Sequence, residues 1–125
     1  MTHVLMTPAG RSRTISRVKE RVIRQDYLNL LLVGVILSQL GDLVTFMAAV
    51  GRLGIQAETN LLARELFLRV GEFGPVLLKA AALIVIVLLV RRIAQRFPAY
   101  AAPAAWLAIS VGLVGLGSNV VGLLA

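Results

Sequence analysis

Asp42, Thr45, Lys79 and Asn119 could do chemistry in surroundings that should reject them, because each stands inside a run of otherwise apolar residues. An ionised side chain at the centre of a bilayer costs ~2.5–3.5 kcal/mol on insertion scales. Such residues therefore turn toward protein or water, and they often mark an ion or proton path. An acid, a hydroxyl, an amine and an amide on three separate runs suggest one shared polar cluster. Paired, Asp42 and Lys79 neutralise each other as a structural ion pair. As a site, they would hold an ion, a proton or a small polar ligand. Glu58 and Asn60 lie between the first two runs and add an acid and an amide on the same side. Asp42 and Glu58 have the chemistry of an acid and a base. No nucleophile elbow, metal-binding histidine set or glycine-rich phosphate loop accompanies them, so no catalytic residue, metal or cofactor is assigned. Gly112, Gly115 and Gly117 follow no strand, and helix packing explains them.

The elements that must position these residues are helices. Apolar residues make up 58% of the chain, above the ~45–50% usual in soluble domains, and the mean hydropathy is +0.87. Backbone groups in lipid must pair within their own segment, which selects helices. A barrel would need alternation, and residues 80–90 do not alternate. The class is all-α: an integral membrane helical bundle of three transmembrane helices over 28–50, 75–96 and 100–125. A short amphipathic interfacial helix over 59–70 completes it. At ~1.5 Å per residue that helix cannot cross a ~30 Å core. Residues 1–26 form a basic N-terminal segment and 27–125 the helical transmembrane domain.

Spacing assigns faces. In the first span Gly34, Ser38, Asp42, Thr45 and Ala49 recur in steps of three and four and share one side. Glu72, Pro75, Lys79 and Ala82 share a face of the second. In the third, Ala104, Ala108, Gly112, Gly115, Asn119 and Gly122 make a small-residue stripe that favours close helix packing. Trp106 and Leu113 belong to lipid-facing sides. Gly51 and Gly54 favour a turn after the first span, and FPAYAAP links the second to the third.

The formal charge of +7 has two readings, nucleic acid or lipid headgroups. The basic residues flank spans instead of building a basic domain, which favours lipid and no nucleic-acid partner. Arg11, Arg13, Arg17, Lys19, Arg21 and Arg24 surround Ile15, Val18, Val22 and Ile23 at helical spacing. This suits a basic amphipathic helix on a membrane surface, or alternatively a plain charged tail. The chain has no cysteine, and its one histidine, His3, reads as a solvated tail residue. The first apolar run exceeds the ~7–15 residues of a cleaved signal and reads as a retained anchor.

The segment between the first two spans balances Arg52, Arg64 and Arg69 with Glu58, Glu65 and Glu72. The N-terminal flank, and the link holding Arg91, Arg92 and Arg96, are more basic. Positive-inside logic puts those two in the cytoplasm and the C-terminus outside. A four-span alternative, with 59–70 crossing, would move Arg91 and Arg92 outside. In the three-span arrangement Asp42, Lys79 and Asn119 lie ~12, ~6 and ~9 Å from the outer helix ends, at similar depth.

The order Asp42-Leu43-Val44-Thr45, then Glu58-Thr59-Asn60-Leu61, then Lys79 resembles the D-x-x-T, E-x-N-P-L, K pattern of small prokaryotic multi-span membrane proteins, the domain of unknown function 5658 family. Leu61 stands where the pattern has proline. The resemblance spans about 28–92 and implies a multi-pass protein of a prokaryotic cell membrane, with no activity attached. The functional expectation is a structural or accessory subunit that packs with itself as a homo-oligomer or with a larger membrane complex, in contact with membrane lipids. The alternative is a small oligomeric transporter or polar-ligand-binding protein using Asp42, Lys79 and Asn119.

Overall fold

The computed structural model describes residues 8–57 and 61–125. It contains helix α1 (Pro8–Leu53), a single 3-10 turn (Ile55–Ala57), α2 (Leu61–Val70), α3 (Phe73–Arg96) and α4 (Pro98–Leu124). Three helices, α1, α3 and α4, are long and apolar enough to cross a membrane. The ten residues of α2 rise only ~15 Å and are too short to do so. His3, Glu58, Thr59 and Asn60 lie outside the described residues.

Helix α1 is one 46-residue element, where the sequence suggested a basic segment followed by a separate span. No proline interrupts it after Pro8, which as first residue loses no helical hydrogen bond. At the expected boundary Gln25 Nε2 donates to Asn29 Oδ1 at 3.2 Å, an i,i+4 link that supports continuity. Gly51, expected in a turn, remains helical. The turn falls at Gly54, whose φ of +79° is left-handed and whose N–H donates to the Val50 carbonyl at 2.9 Å. Gly71, at φ +83°, ends α2 in the same way on the Phe67 carbonyl. These are glycine C-terminal caps, which satisfy a carbonyl that the helix leaves open.

The link between α3 and α4 is a single residue. Pro98 lacks an N–H and cannot continue α3, yet it serves well as the first residue of α4. A proline also disfavours helical geometry in its predecessor, and Phe97 sits at φ −139°, ψ 70°. The Phe97 N–H still caps the Ile93 carbonyl at 2.6 Å. The segment FPAYAAP is therefore mostly helix. Pro103 lies inside α4 and removes the donor that would bond the Ala99 carbonyl, yet the helix continues through it.

The chain divides into two compact units, residues 1–30 and 31–125. In the first, the described residues form a helix whose side chains are nearly all exposed. The second contains the core, with Leu31, Leu32, Val35 and Phe46 of α1, Val90 of α3, and Ala101, Ala105 and Ile109 of α4. Ala63 of α2 is buried over the start of α3. There Gly74 and Pro75 are buried, and a Cβ on Gly74 would come within 2.9 Å of the Leu66 carbonyl oxygen. Around this core Leu77, Ile84, Leu88, Leu107, Val111, Val114 and Val121 are open to the surroundings, the pattern of a bundle solvated by hydrocarbon.

Two expected faces are displaced. Ala82 is exposed, and Leu83, Ile86 and Val90 share the inward side of α3 with Pro75 and Lys79. On α4 the most buried positions are Ala101, Ala105, Ile109 and Gly112, while Ala104 and Ala108 are half-buried beside them. At 100° per residue the rotation is slight on α3 and roughly 60° on α4. Both follow from which neighbour each helix meets, which spacing alone does not reveal.

Candidate polar cluster between the three long helices

The cluster begins with the seam between α1 and α4, two helices that run parallel. Each lends two glycines, and each glycine faces a larger side chain of the other helix. A Cβ added to Gly34 would meet Ile109 Cδ1 at 3.1 Å, and one on Gly41 would meet Leu116 Cδ1 at 2.6 Å. From the α4 side, a Cβ on Gly112 would lie 2.7 Å from Ser38 Oγ, and one on Gly115 only 2.6 Å from Asp42 Oδ1. Contacts of 2.6–2.7 Å are too short for carbon, so a side chain here requires movement. Small residues in membrane helices permit this backbone approach. Here they bring the α4 backbone against a carboxylate.

Asp42 is the hub. Its Oδ2 accepts from Lys79 Nζ at 2.6 Å, joining α1 to α3. Its Oδ1 accepts from Asn119 Nδ2 at 3.0 Å, joining α1 to α4. The same amide also lies 3.2 Å from the Asp42 carbonyl oxygen and 3.2 Å from Thr45 Oγ1. The Thr45 hydroxyl points back along its own helix, donating toward the Gly41 carbonyl at 2.8 Å and the Asp42 carbonyl at 3.1 Å. Lys79 Nζ is also 4.8 Å from the centre of the Phe46 ring, within cation–π range, and that ring is almost fully buried. The ion pair is mostly withdrawn: the Asp42 side chain is 15% exposed and that of Lys79 23%. The geometry is charge-assisted and short, the stronger kind of hydrogen bond. With Asp42 and Lys79 ionised the pair carries no net charge, which avoids much of the cost of placing either alone in hydrocarbon.

Asp42, Thr45, Lys79 and Asn119 thus meet. Of the small residues singled out on α4, Gly112 and Gly115 touch the polar seam directly. Ala108 contributes its carbonyl, which accepts from Gln39 Nε2 at 3.1 Å. Ala104 is half-buried. Arg11, Arg13, Arg17, Lys19, Arg21 and Arg24 are all exposed on the first unit. Glu58 and Asn60 lie outside the described residues.

Three participants were missed from the sequence. Gln39 is a polar amide in an apolar run, the same signal that marked Asp42, yet it falls beside the chosen stripe. Phe46 has no polar atom and lies off the small-residue stripe, so nothing in its spacing marks it. Arg52, counted only as a loop charge, donates Nη1 to the Leu123 carbonyl at 2.6 Å and caps the end of α4, where a cation suits the helix dipole. In α2, Arg64 reaches Gln56 of the 3-10 turn, and Arg69 pairs with Glu65 at 2.7 Å on the exposed surface.

Chemically, the cluster can hold three helices in one register. It also presents an ammonium group whose hydrogen bond, among the described residues, goes to Asp42. Comparison with protein-family models, curated proteins and solved structures found no match to this chain.

Proposed function

We propose that the protein is a small structural or accessory membrane subunit whose Asp42-centred clasp fixes the spans so that their outer faces can pack with a second copy or a larger complex. The observation that supports this most is the closeness of Gly115. The α4 backbone fills the space beside Asp42 Oδ1, and both carboxylate oxygens are engaged by other helices. A carboxylate used that way serves assembly better than ligand exchange. The same reading puts the chain in a prokaryotic cell membrane as a multi-pass protein with a cytoplasmic N-terminus, on the arginine distribution. Distant kinship with the domain of unknown function 5658 family belongs to it as well. Reporter fusions after Gly74 and Arg96 test the orientation, with Gly74 expected outside.

A second reading has one observation in its favour. Lys79 keeps 23% exposure and spends one hydrogen bond on Asp42, so a small oligomeric transporter or polar-ligand-binding protein would have a donor to offer. Purification in a mild detergent, with mass spectrometry of the intact assembly, separates the two. A stoichiometric protein partner or defined homo-oligomer is expected. A monomer that retains a small polar ligand, and loses it in Lys79→Met, would overturn the subunit reading.

A further inference from the structure

The outer face of α3 carries a lane that changes character once. Leu77, Ala81, Val85, Leu88, Arg92 and Arg96 follow in steps of three and four, so they share one side of the helix. All six are exposed, and the three large apolar ones keep 53–65% of their surface open. Val90 faces inward, and Arg92 lies ~160° around the helix from it. The apolar part, Leu77 to Leu88, rises ~16 Å, about half of a ~30 Å hydrocarbon core and so the depth of one leaflet. The lane then ends in cations, with Arg91 on its flank. None of Arg91, Arg92 and Arg96 has an ion pair or hydrogen bond among the described residues. The described acids of the same unit are engaged or distant. Asp42 holds Lys79, Glu65 holds Arg69, and Glu72 precedes the opposite end of α3. Lys79 itself stands ~20 Å along the helix from Arg92, about two Debye lengths. Just past the turn Tyr100 is 67% exposed, an aromatic suited to the membrane–water boundary.

We infer that this lane holds one anionic phospholipid, with its phosphate at Arg92 and Arg96, Arg91 beside it, and its acyl chains along Leu88, Val85 and Leu77. The inference goes beyond the subunit reading. It needs only that α3 crosses a bilayer, and it holds in either orientation of the chain. Length and charge together select the occupant. The planar guanidinium fork matches a phosphate, and two arginines one turn apart can share one. A zwitterionic lipid would bring its own cation to a site already rich in them. A second copy would set arginines against arginines, and the lane offers only Ala81 where close helix packing in lipid favours several small residues. An acidic protein segment would match the charge but gain little from the aliphatic part, because lipid tails already solvate leucine.

The chain has no cysteine, so one label reports one place. Full-length Leu88→Cys, and Val114→Cys on the exposed side of α4 as reference, would each carry a bimane fluorophore in bilayers of phosphatidylcholine and phosphatidylglycerol mixed in equal parts. Bromine on the chains of one lipid or the other quenches the label on contact, and the ratio gives the local preference. At Leu88 phosphatidylglycerol should be favoured, on the order of fivefold for each arginine engaged. At Val114 no preference is expected. Adding Arg92→Gln and Arg96→Gln should bring the Leu88 label to the Val114 value. Arg11→Gln with Arg13→Gln removes the same charge from the first unit and should not. Raising the salt concentration should weaken the preference with every arginine in place, a check that needs no arginine variant to fold. Equal values at the two labels overturn the inference. So does a preference that ignores salt, survives loss of Arg92 and Arg96, or falls as far with the N-terminal pair. A Leu88 label that neither lipid quenches would mean that protein covers the lane, and overturns it as well.

Discussion

Helix α1 is one helix in two environments. Residues 9–27 are exposed throughout, and basic residues are as frequent there as apolar ones. From Leu31 onward one side is buried and hosts glycines, Ser38, Asp42 and Thr45. Backbone hydrogen bonding is the same along its length, so the helix itself does not explain the difference. In the second half the small residues matter because something packs against them. In the first half the aliphatic residues stay open because no described residue of their own unit covers them. A helix is a frame, and only side-chain partnering tells whether a face is core, lipid surface or docking surface.

The sharpest way to break the packed half is Gly115→Leu. Its Cβ would collide with the Asp42 carboxylate, and overpacking typically costs ~1–3 kcal/mol before any lost hydrogen bond is counted. Separating α4 from Asp42 also strands the Asn119 bond, so no monodisperse folded protein is expected on size-exclusion chromatography. Next in size are Asp42→Asn and Lys79→Met. Each leaves one partner of a largely withdrawn pair alone, a loss of about 3 kcal/mol. The double variant should recover part of it in a denaturation cycle, whereas strictly additive losses would mean that the pair adds no coupling.

Asn119→Leu removes the amide that bridges α4 to Asp42 and Thr45. Interhelical hydrogen bonds in membranes are modest, so ~0.6–2 kcal/mol is expected from the same denaturation measurement. The exposed half supplies the smallest effect. Val18→Ser touches no core residue and should leave bundle stability within about 0.5 kcal/mol. A loss comparable to that of Asn119→Leu would end the distinction between the two halves of α1.

Part of this is legible in the sequence alone. Asp42, Lys79 and Asn119 stood out because a polar group in an apolar run is expensive and must find a partner. The Gly34–Ser38–Asp42–Thr45 and Gly112–Gly115–Asn119 stripes followed from helical spacing, and both run along the α1–α4 seam. Gln39 did not stand out, because its partner is a backbone carbonyl, a group present at every residue. Arg52 escaped for the same reason, since its acceptor is the Leu123 carbonyl. Ala105 and Ile109 proved more buried than Ala104 and Ala108, because the rotation of α4 depends on the shapes it meets.

The sequence by itself determined the helical class, the three apolar lengths, the short α2 and the residues that could not face lipid. These are local properties of composition and period, and every segment reports them without reference to the others. Only the tertiary structure decided that α1 and α4 interlock glycine against side chain, that Gly115 abuts the carboxylate, and that Lys79 lies over Phe46. Those facts depend on the relative rotation and height of helices far apart in the chain. Close packing sets both, and a shift of one residue would turn each group by 100° away from its partner.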